Sequence, residues 1–325
     1  MSLKGVIGQN RMIQTLQFSL QEGNVFHAYI FEGAEGIGKK FTAFNFAKAI
    51  LCHEKEETCN QCSACKKMDH GNHPDYHFIE PDGKSIKDSQ IEDVQDIMAK
   101  KPYESQNTVI IIDKAETMTV RAQNRFLKTL EEPRGDSIVI LLTINANSLL
   151  PTILSRCMVM KLKPVHRDTI CNYLIEKYGI ERKDAIVLAA FAYGNIGRAE
   201  QLHQSELFKE NRIKCIKIAQ QLSLIKEEDF YHIVHAIEEL KDISSEFFDM
   251  LEFWYRDIIL LRVKGNRDLI VNSDYMDVLL READNIGYDK AAKIIYIIEE
   301  AKKDIKMNLN YNLVIKNMLL KIQEV

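Results

Sequence analysis

The stretch HAYIFEGAEGIGKK, from His27 to Lys40, decides the fold of the first part of the chain. Its apolar residues Ala28 to Phe31 predict a buried strand, because they carry the β-branched and aromatic side chains typical of one. A glycine-rich turn follows from Gly33 to Lys39 and opens a predicted helix from Phe41 to Leu51. A strand, such a turn and a helix in this order are typical of a P-loop, where backbone N–H groups surround phosphate.

This P-loop predicts a nucleotide site that lacks one of its metal ligands. Its glycines and lysine fit phosphate binding, and these residues are Gly33, Gly36, Gly38 and Lys39. The motif then requires Ser or Thr, whose hydroxyl binds Mg²⁺. Lys40 stands there instead, and an ammonium group cannot coordinate a cation. Nucleotide binding therefore stays open, whereas Mg²⁺ binding is disfavoured.

A second part of a hydrolytic site is also altered. Asp113 follows the apolar run Val109 to Ile112, which is where an aspartate holds the metal in P-loop ATPases. The following residue, a glutamate in many ATPases of this type, is Lys114. Glu116 lies nearby at a different offset. We therefore expect no efficient hydrolysis by this chain alone.

The remaining pattern predicts an α/β domain followed by helices. Further strands are predicted at Tyr76–Ile79, Val109–Ile112 and Ile138–Leu142, and a helix from Ala122 to Glu131 is predicted to end at Pro133 and Gly135. Helices and short strands in alternation indicate a parallel sheet. After Pro164 only helical spacing remains. The fold class is thus α/β plus all-α, with domains at 1–163, 164–204 and 205–325.

Four of the seven cysteines lie close together, and they predict a metal site. Cys52, Cys59, Cys62 and Cys65 have the spacing C-x₆-C-x₂-C-x₂-C, which lets four thiolates converge. Four sulfur ligands are typical of structural Zn²⁺ and leave no open position for catalysis. An iron–sulfur cluster is the alternative chemistry, since spacing alone does not exclude it.

The composition limits the classes of function. The net charge of −4 provides no overall attraction to nucleic acid, so any contact with DNA would be local or through partners. The N-terminus lacks the apolar core of a signal peptide, and no apolar run reaches membrane-spanning length. We therefore expect a cytoplasmic protein with no membrane association.

Several stretches in order resemble the clamp-loader AAA+ family of bacterial replication. They are HAYIFEG (27–33), the four cysteines, the strand ending at Asp113, AQNRFLKTLEEP (122–133), PTILSRC (151–157) and GNIGRA (194–199). Together they extend through about the first 200 residues. The resemblance implies an AAA+ domain, a helical lid at 164–204 and a helical collar at 205–325.

The resemblance also implies roles for three residues outside the P-loop. Arg156, in Ser155-Arg156-Cys157, resembles the arginine finger that enters the ATP site of a neighbouring subunit. A guanidinium suits this role because it stays charged and offers a planar set of donors. Asn145 resembles the sensor-one residue of the family, and Arg198 resembles its sensor-two arginine.

The implied assembly is a heteropentamer within the DNA polymerase III holoenzyme. Its partners would be the delta and gamma/tau subunits, the sliding clamp (beta) and, through the complex, primed DNA. In it, this chain would be a non-hydrolysing stator that supplies Arg156 and helps load the clamp. Zn²⁺ would be its structural cofactor.

Three other functions remain open at this point. An ATP-hydrolysing motor subunit of gamma/tau type would share the cysteines and Arg156, but it should retain the Mg²⁺ hydroxyl and the catalytic glutamate. An autonomous ATPase would show turnover alone. A zinc-dependent nucleic-acid-binding module would bind DNA in a salt-sensitive manner and lose this affinity without zinc.

Overall fold

The computed structural model describes residues 3–54, 58–131, 136–222, 225, 227–263 and 267–325. Within them the chain forms two compact units. Unit 1 comprises the residues up to Thr169 together with Tyr193–Arg198, and unit 2 comprises Ile170–Ala192 and Ala199–Val325. The predicted boundaries at 163/164 and 204/205 stay predictions.

Unit 1 contains a parallel sheet of five strands among its described residues. The strands are β1 (Ala28–Glu32), β2 (Tyr76–Ile79), β3 (Thr108–Ile112), β4 (Ser137–Thr143) and β5 (Met158–Lys161). Their order across the sheet is β2-β3-β4-β1-β5, and every pairing is parallel. The four predicted strands are confirmed. β5 was not predicted, because it is short and three of its four residues are not buried.

Helices cover both faces of this sheet. They are α1 (Asn10–Gln21), α2 (Lys39–Leu51), α3 (Ser63–Asp69), α4 (Asp88–Met98), α5 (Val120–Glu131) and α6 (Pro151–Leu154). Alternate residues of β1 face opposite sides, as the two-residue period of a strand requires. Tyr29 and Phe31 pack in the cluster that contains Phe46 of α2, whereas Ile30 packs in the cluster that contains Phe126 of α5. Pro133 and Gly135, the predicted end of α5, lie outside the described residues.

After β5 the described residues form helices and no further strand. They are α7 (Arg167–Tyr178), α8 (Arg182–Phe191), α9 (Ile196–Gln204), α10 (Glu206–Leu222), α11 (Phe230–Glu238), α12 (Ser244–Arg262), α13 (Met276–Asn285), α14 (Tyr288–Lys306) and α15 (Tyr311–Gln323). The aromatic group of α12 is core: Phe247, Phe248 and Trp254 are almost completely buried, and the Trp254 indole N–H donates to Glu282. In the described part of the chain, we find no helix with the length and hydropathy to cross a membrane.

Candidate functional site

The P-loop lies at the carboxyl edge of the sheet, where parallel α/β folds bind ligands. It follows β1 and ends at Gly38, directly before α2. Gly38 has a φ of 101°. Gly36 also has positive φ, and a Cβ atom there would approach the side-chain nitrogen of Asn195 to 2.5 Å. Glycine is therefore required at position 36 by both the backbone conformation and the space available.

Lys39 is folded back onto the P-loop. Its Nζ donates hydrogen bonds to the carbonyl oxygens of Gly33 at 2.6 Å and Ala34 at 2.9 Å. Burial lowers the pKa of this ammonium, and the nearby carboxylates of Glu116 and Asp113 oppose the shift. A phosphate that enters the loop would therefore have to replace these carbonyl oxygens as the acceptor of the Lys39 hydrogen bonds.

Lys40 is turned toward the end of β2. Its Nζ lies 3.0 Å from the Glu80 carboxylate and 4.1 Å from the centre of the Phe78 ring. The position that the motif gives to a Mg²⁺-binding hydroxyl thus carries an ammonium group that pairs within the chain. This arrangement fits the expectation that the site does not hold Mg²⁺.

Asp113 occupies the carboxyl end of β3, as predicted. Its backbone N–H donates to the Ile79 carbonyl, and its carboxylate accepts from the N–H of Lys114 at 3.0 Å. Lys114 has a φ of 50°, and its side chain is exposed. The Glu116 carboxylate lies near the Lys39 ammonium and accepts from the Ile144 N–H at 3.4 Å. Lys114 thus stands where a hydrolysing site has a glutamate directly after the aspartate.

Asn145 follows β4 at the same edge and is used as a cap. Its side-chain oxygen accepts from the N–H of Asn147 at 3.0 Å, at the start of the 3₁₀ helix Ala146–Ser148. This contact is the common capping role of asparagine. The sensor-one role of Asn145 therefore stays a prediction.

The GNIGRA segment reaches the P-loop through Asn195, a residue that we did not single out from the sequence. The Asn195 amide donates to the Glu35 carbonyl at 2.8 Å, and its oxygen accepts from the Arg198 N–H at 2.9 Å. The Arg198 guanidinium lies 5.5 Å from the centre of the Tyr193 ring. An asparagine three residues before a helical N–H is a capping signal that could have identified Asn195. The sensor-two role of Arg198 stays a prediction.

Arg156 lies at the opposite edge of the sheet from the P-loop. It precedes the first residue of β5 by two positions, and β5 is parallel to β1, which ends at the P-loop. The five residues of β1 separate the two edges by about 13 Å. Arg156 is 36% exposed, and its guanidinium contacts Thr152, Ser155 and Glu131.

The four predicted cysteines converge at the end of α2. Cys52 is the residue that ends this helix, and Cys65 is on α3. Their sulfur atoms all lie within 4.8 Å of one another, with separations of 3.6 Å (Cys52–Cys59), 3.9 Å (Cys52–Cys62) and 3.9 Å (Cys59–Cys65). Four sulfurs around one Zn²⁺ at about 2.3 Å would be about 3.8 Å apart. These residues can therefore hold a tetrahedral metal ion.

Backbone N–H groups favour thiolates in this cluster. The N–H of Cys59 points to Cys52, that of Cys62 to Cys59 and that of Cys65 to Cys62, at 3.3–3.5 Å between N and Sγ. The backbone N–H groups of Gln61 and Cys62 lower the pKa of Cys59 to about 6. Burial raises the pKa of Cys52 and Cys65. A cation bound to all four sulfurs would offset this desolvation cost.

A buried lysine connects the P-loop helix to the cysteine segment. Lys48 of α2 has a completely buried side chain, and its Nζ contacts the Asp69 carboxylate at 2.6 Å and the Asn60 side-chain oxygen at 2.8 Å. Asn60 follows Cys59, and Asp69 ends α3. This ion pair therefore holds the cysteine segment on the α/β core.

We expect Asp69→Ala to destabilise unit 1, because it leaves the buried Lys48 ammonium without its counter-charge. The expected loss of unfolding free energy is about 3 kcal/mol, the lower end for a broken buried pair, because Asp69 is 43% exposed. Asp82→Ala is the matched control: its pair with Lys87 is exposed on both sides, so it should cost far less stability than Asp69→Ala. Urea unfolding compares the two, and equal losses would contradict a role for the buried pair.

Comparison with known proteins covers both parts of the chain. A family model described as "DNA polymerase III, delta subunit" matches residues 8–166, and one described as "DNA polymerase III, delta subunit, C terminal" matches residues 206–324. DNA polymerase III subunit delta' of Bacillus subtilis (strain 168) is 33% identical over 320 residues, covering 97% of this chain and 96% of the relative.

Two further relatives are less similar in sequence. Subunit delta' of Pseudomonas aeruginosa is 27% identical over 305 residues, with 90% of each chain covered. Subunit tau of Bacillus subtilis is also 27% identical, over 326 residues, but the match spans only 58% of its length. The similarity to these two delta' subunits thus extends over 90% or more of this chain and of each relative.

Proposed function

Because the chain belongs to the family of bacterial DNA polymerase III delta' subunits, which are subunits of the clamp loader, we propose that it is a non-hydrolysing stator. In this proposal Arg156 acts as an arginine finger at the ATP site of a neighbouring subunit. The chain thereby controls hydrolysis that it does not itself perform, and it helps to load the sliding clamp on primed DNA.

The observation that carries the proposal is the position of Arg156. The residue is partly exposed at the edge of the sheet opposite to its own P-loop, about 13 Å or more away. A finger must contact the transferring phosphoryl group. Arg156 is therefore suited to a site on another subunit and not to its own. The decisive experiment is the ATPase activity of the reconstituted loader with Arg156→Ala.

The altered P-loop supports the absence of hydrolysis. Lys40 pairs with Glu80 where a hydroxyl should bind Mg²⁺, and Lys114 replaces the glutamate that would polarise water. Lys39 bonds to the loop itself. These contacts favour a stator over the motor-subunit alternative.

We expect the purified chain to show no Mg²⁺-dependent ATP turnover above background. Turnover is measured with and without Mg²⁺, and Lys39→Ala serves as a control for contaminating ATPases because it removes the phosphate-binding ammonium. Mg²⁺-dependent turnover that disappears in Lys39→Ala would contradict the proposal and favour the motor subunit. Equal rates for both chains would support it.

We further propose that Cys52, Cys59, Cys62 and Cys65 hold a structural Zn²⁺. The separations of their sulfurs match a tetrahedral thiolate site, and four sulfurs leave no position for a water or substrate. When bound, the ion would supply only structural support. The cysteines would then hold α3 against the end of α2.

The helices after residue 204 fit a collar that packs with partner subunits. Their proposed partners are the delta and gamma/tau subunits of the loader. Apolar side chains at the C-terminal end of the chain are half exposed or more, and they are Met307, Leu309, Leu313 and Leu320. Leu313 and Leu320 are seven residues apart on α15, so they share one helix face. Apolar side chains on one exposed face are typical of a surface that binds another protein.

A further inference from the structure

Glu131 binds the guanidinium of Arg156 from a separate element of the fold. The Nη2 atom of Arg156 lies 3.0 Å from the Glu131 carboxylate. Its Nη1 atom donates to the Thr152 carbonyl at 2.9 Å and to the Ser155 hydroxyl at 3.3 Å. From these contacts we infer that Glu131 is a positioning residue for the arginine finger, an inference that rests on the proposed function.

The three contacts do not have the same structural effect. Thr152 and Ser155 are within four residues of Arg156 in the chain, so they hold its guanidinium against the segment that carries it. Glu131 is the last residue of α5, and the neighbouring Leu130 and Phe126 are buried in the core. Glu131 therefore ties the guanidinium to a second core-packed helix, α5, which the two local contacts do not reach.

Holding Arg156 in one orientation should affect the reaction rate measurably, because a free arginine side chain has many rotamers. A finger that is ordered only when it meets the neighbouring ATP loses side-chain freedom at that step, which corresponds to about 2- to 12-fold in rate or affinity. A guanidinium has five N–H donors, and the contacts to the described residues use three of them. Two donors can therefore bind phosphoryl oxygens while the ion pair with Glu131 stays formed.

The charge of Glu131 does not prevent this role. Its side chain is 50% exposed, so water screens its repulsion of a nearby phosphate. The attraction between a guanidinium and the transferring phosphoryl group is far larger, at about 10³-fold or more in rate. Glu131 can therefore orient the finger without cancelling its effect.

The test uses the reconstituted loader and compares wild type with Glu131→Ala and Glu131→Gln. We expect Glu131→Ala to lower the clamp- and DNA-stimulated kcat by about 3- to 10-fold, with KM for ATP unchanged, because the finger acts in the transition state. Glu131→Gln should have a smaller effect, since an amide oxygen still accepts a hydrogen bond. Asp96→Ala is the matched control: Asp96 is an exposed carboxylate that lines the same surface cleft as Glu131.

A double variant separates positioning from a general defect. If Glu131 acts only through Arg156, Glu131→Ala should have no further effect in an Arg156→Ala chain. Assembly of each loader is checked by size-exclusion chromatography. An additional loss in the double variant, a raised kcat in Glu131→Ala or a fall equal to that of Asp96→Ala would overturn the inference.

The same set of variants separates this inference from the proposed function. A large fall with Arg156→Ala and none with Glu131→Ala would leave the finger intact as a proposal and remove only the role of Glu131. No fall with Arg156→Ala would overturn both.

Discussion

Replacing Arg156 with alanine is expected to lower ATP hydrolysis at the neighbouring site of the loader by about 10³-fold or more, because that site loses the cation that stabilises its transition state. Turnover by the whole complex should then fall to what the other sites supply. Clamp- and DNA-stimulated ATPase activity of the reconstituted complex measures this change. Arg156→Lys should recover little, because an ammonium lacks the planar set of donors.

The control for this experiment is Arg121→Ala. Arg121 is an exposed arginine near the start of α5, whereas Glu131 at the end of the same helix contacts Arg156. The two variants remove the same charge, so a fall specific to Arg156→Ala excludes a general electrostatic effect. An unchanged rate in an assembled Arg156→Ala complex would remove the trans-acting finger and reopen the autonomous-ATPase and DNA-binding functions.

The second large effect is expected when the cysteine site is broken. Cys65→Ser should abolish stoichiometric metal binding and lower the unfolding free energy by more than about 4 kcal/mol, because loss of a structural metal is among the most destabilising changes. For a unit of this size, that corresponds to a fall of about 8–16 °C in Tm. Metal analysis and thermal unfolding of the purified chain measure both quantities.

Cys171→Ser is the matched control for the metal site. The Cys171 thiol is also buried, but it donates to the Ala185 carbonyl, a contact that a serine hydroxyl can replace. The control should retain one metal ion per chain and lose little stability. One zinc per chain without visible absorption supports the zinc site, whereas iron with sulfide and visible absorption supports the cluster alternative. Retention of metal in Cys65→Ser would contradict the proposed ligand set.

The strands show how far local pattern predicts this fold. The three apolar runs were predicted because strands buried on both faces are almost continuously apolar. Tyr76–Ile79 was also predicted, although it is an edge strand whose four residues are only half-buried. β5 was missed because it is short and mostly exposed, with Met158 and Val159 about 40% exposed. An exposed strand of four residues has too little apolar pattern to be distinguished from a loop.

The candidate site also contains one feature that local sequence predicts and contacts that it does not predict. The cysteine cluster was predictable because its ligands lie within fourteen residues and their spacing brings them together. The partners of Lys40 and Arg156 were not predictable, since Glu80 is forty residues from Lys40 and Glu131 is twenty-five from Arg156. No local rule links side chains at such separations.

The sequence by itself therefore determined the class of fold, the P-loop with its two lysine replacements and the cluster of four cysteines. These features depend on residue type and short spacing, which a linear chain already contains. Only the tertiary structure decided that Lys39 bonds to its own loop, that Asn195 contacts the P-loop and that Arg156 lies at the opposite edge with Glu131. Those contacts depend on how parallel strands and their connecting helices bring distant parts of the chain together.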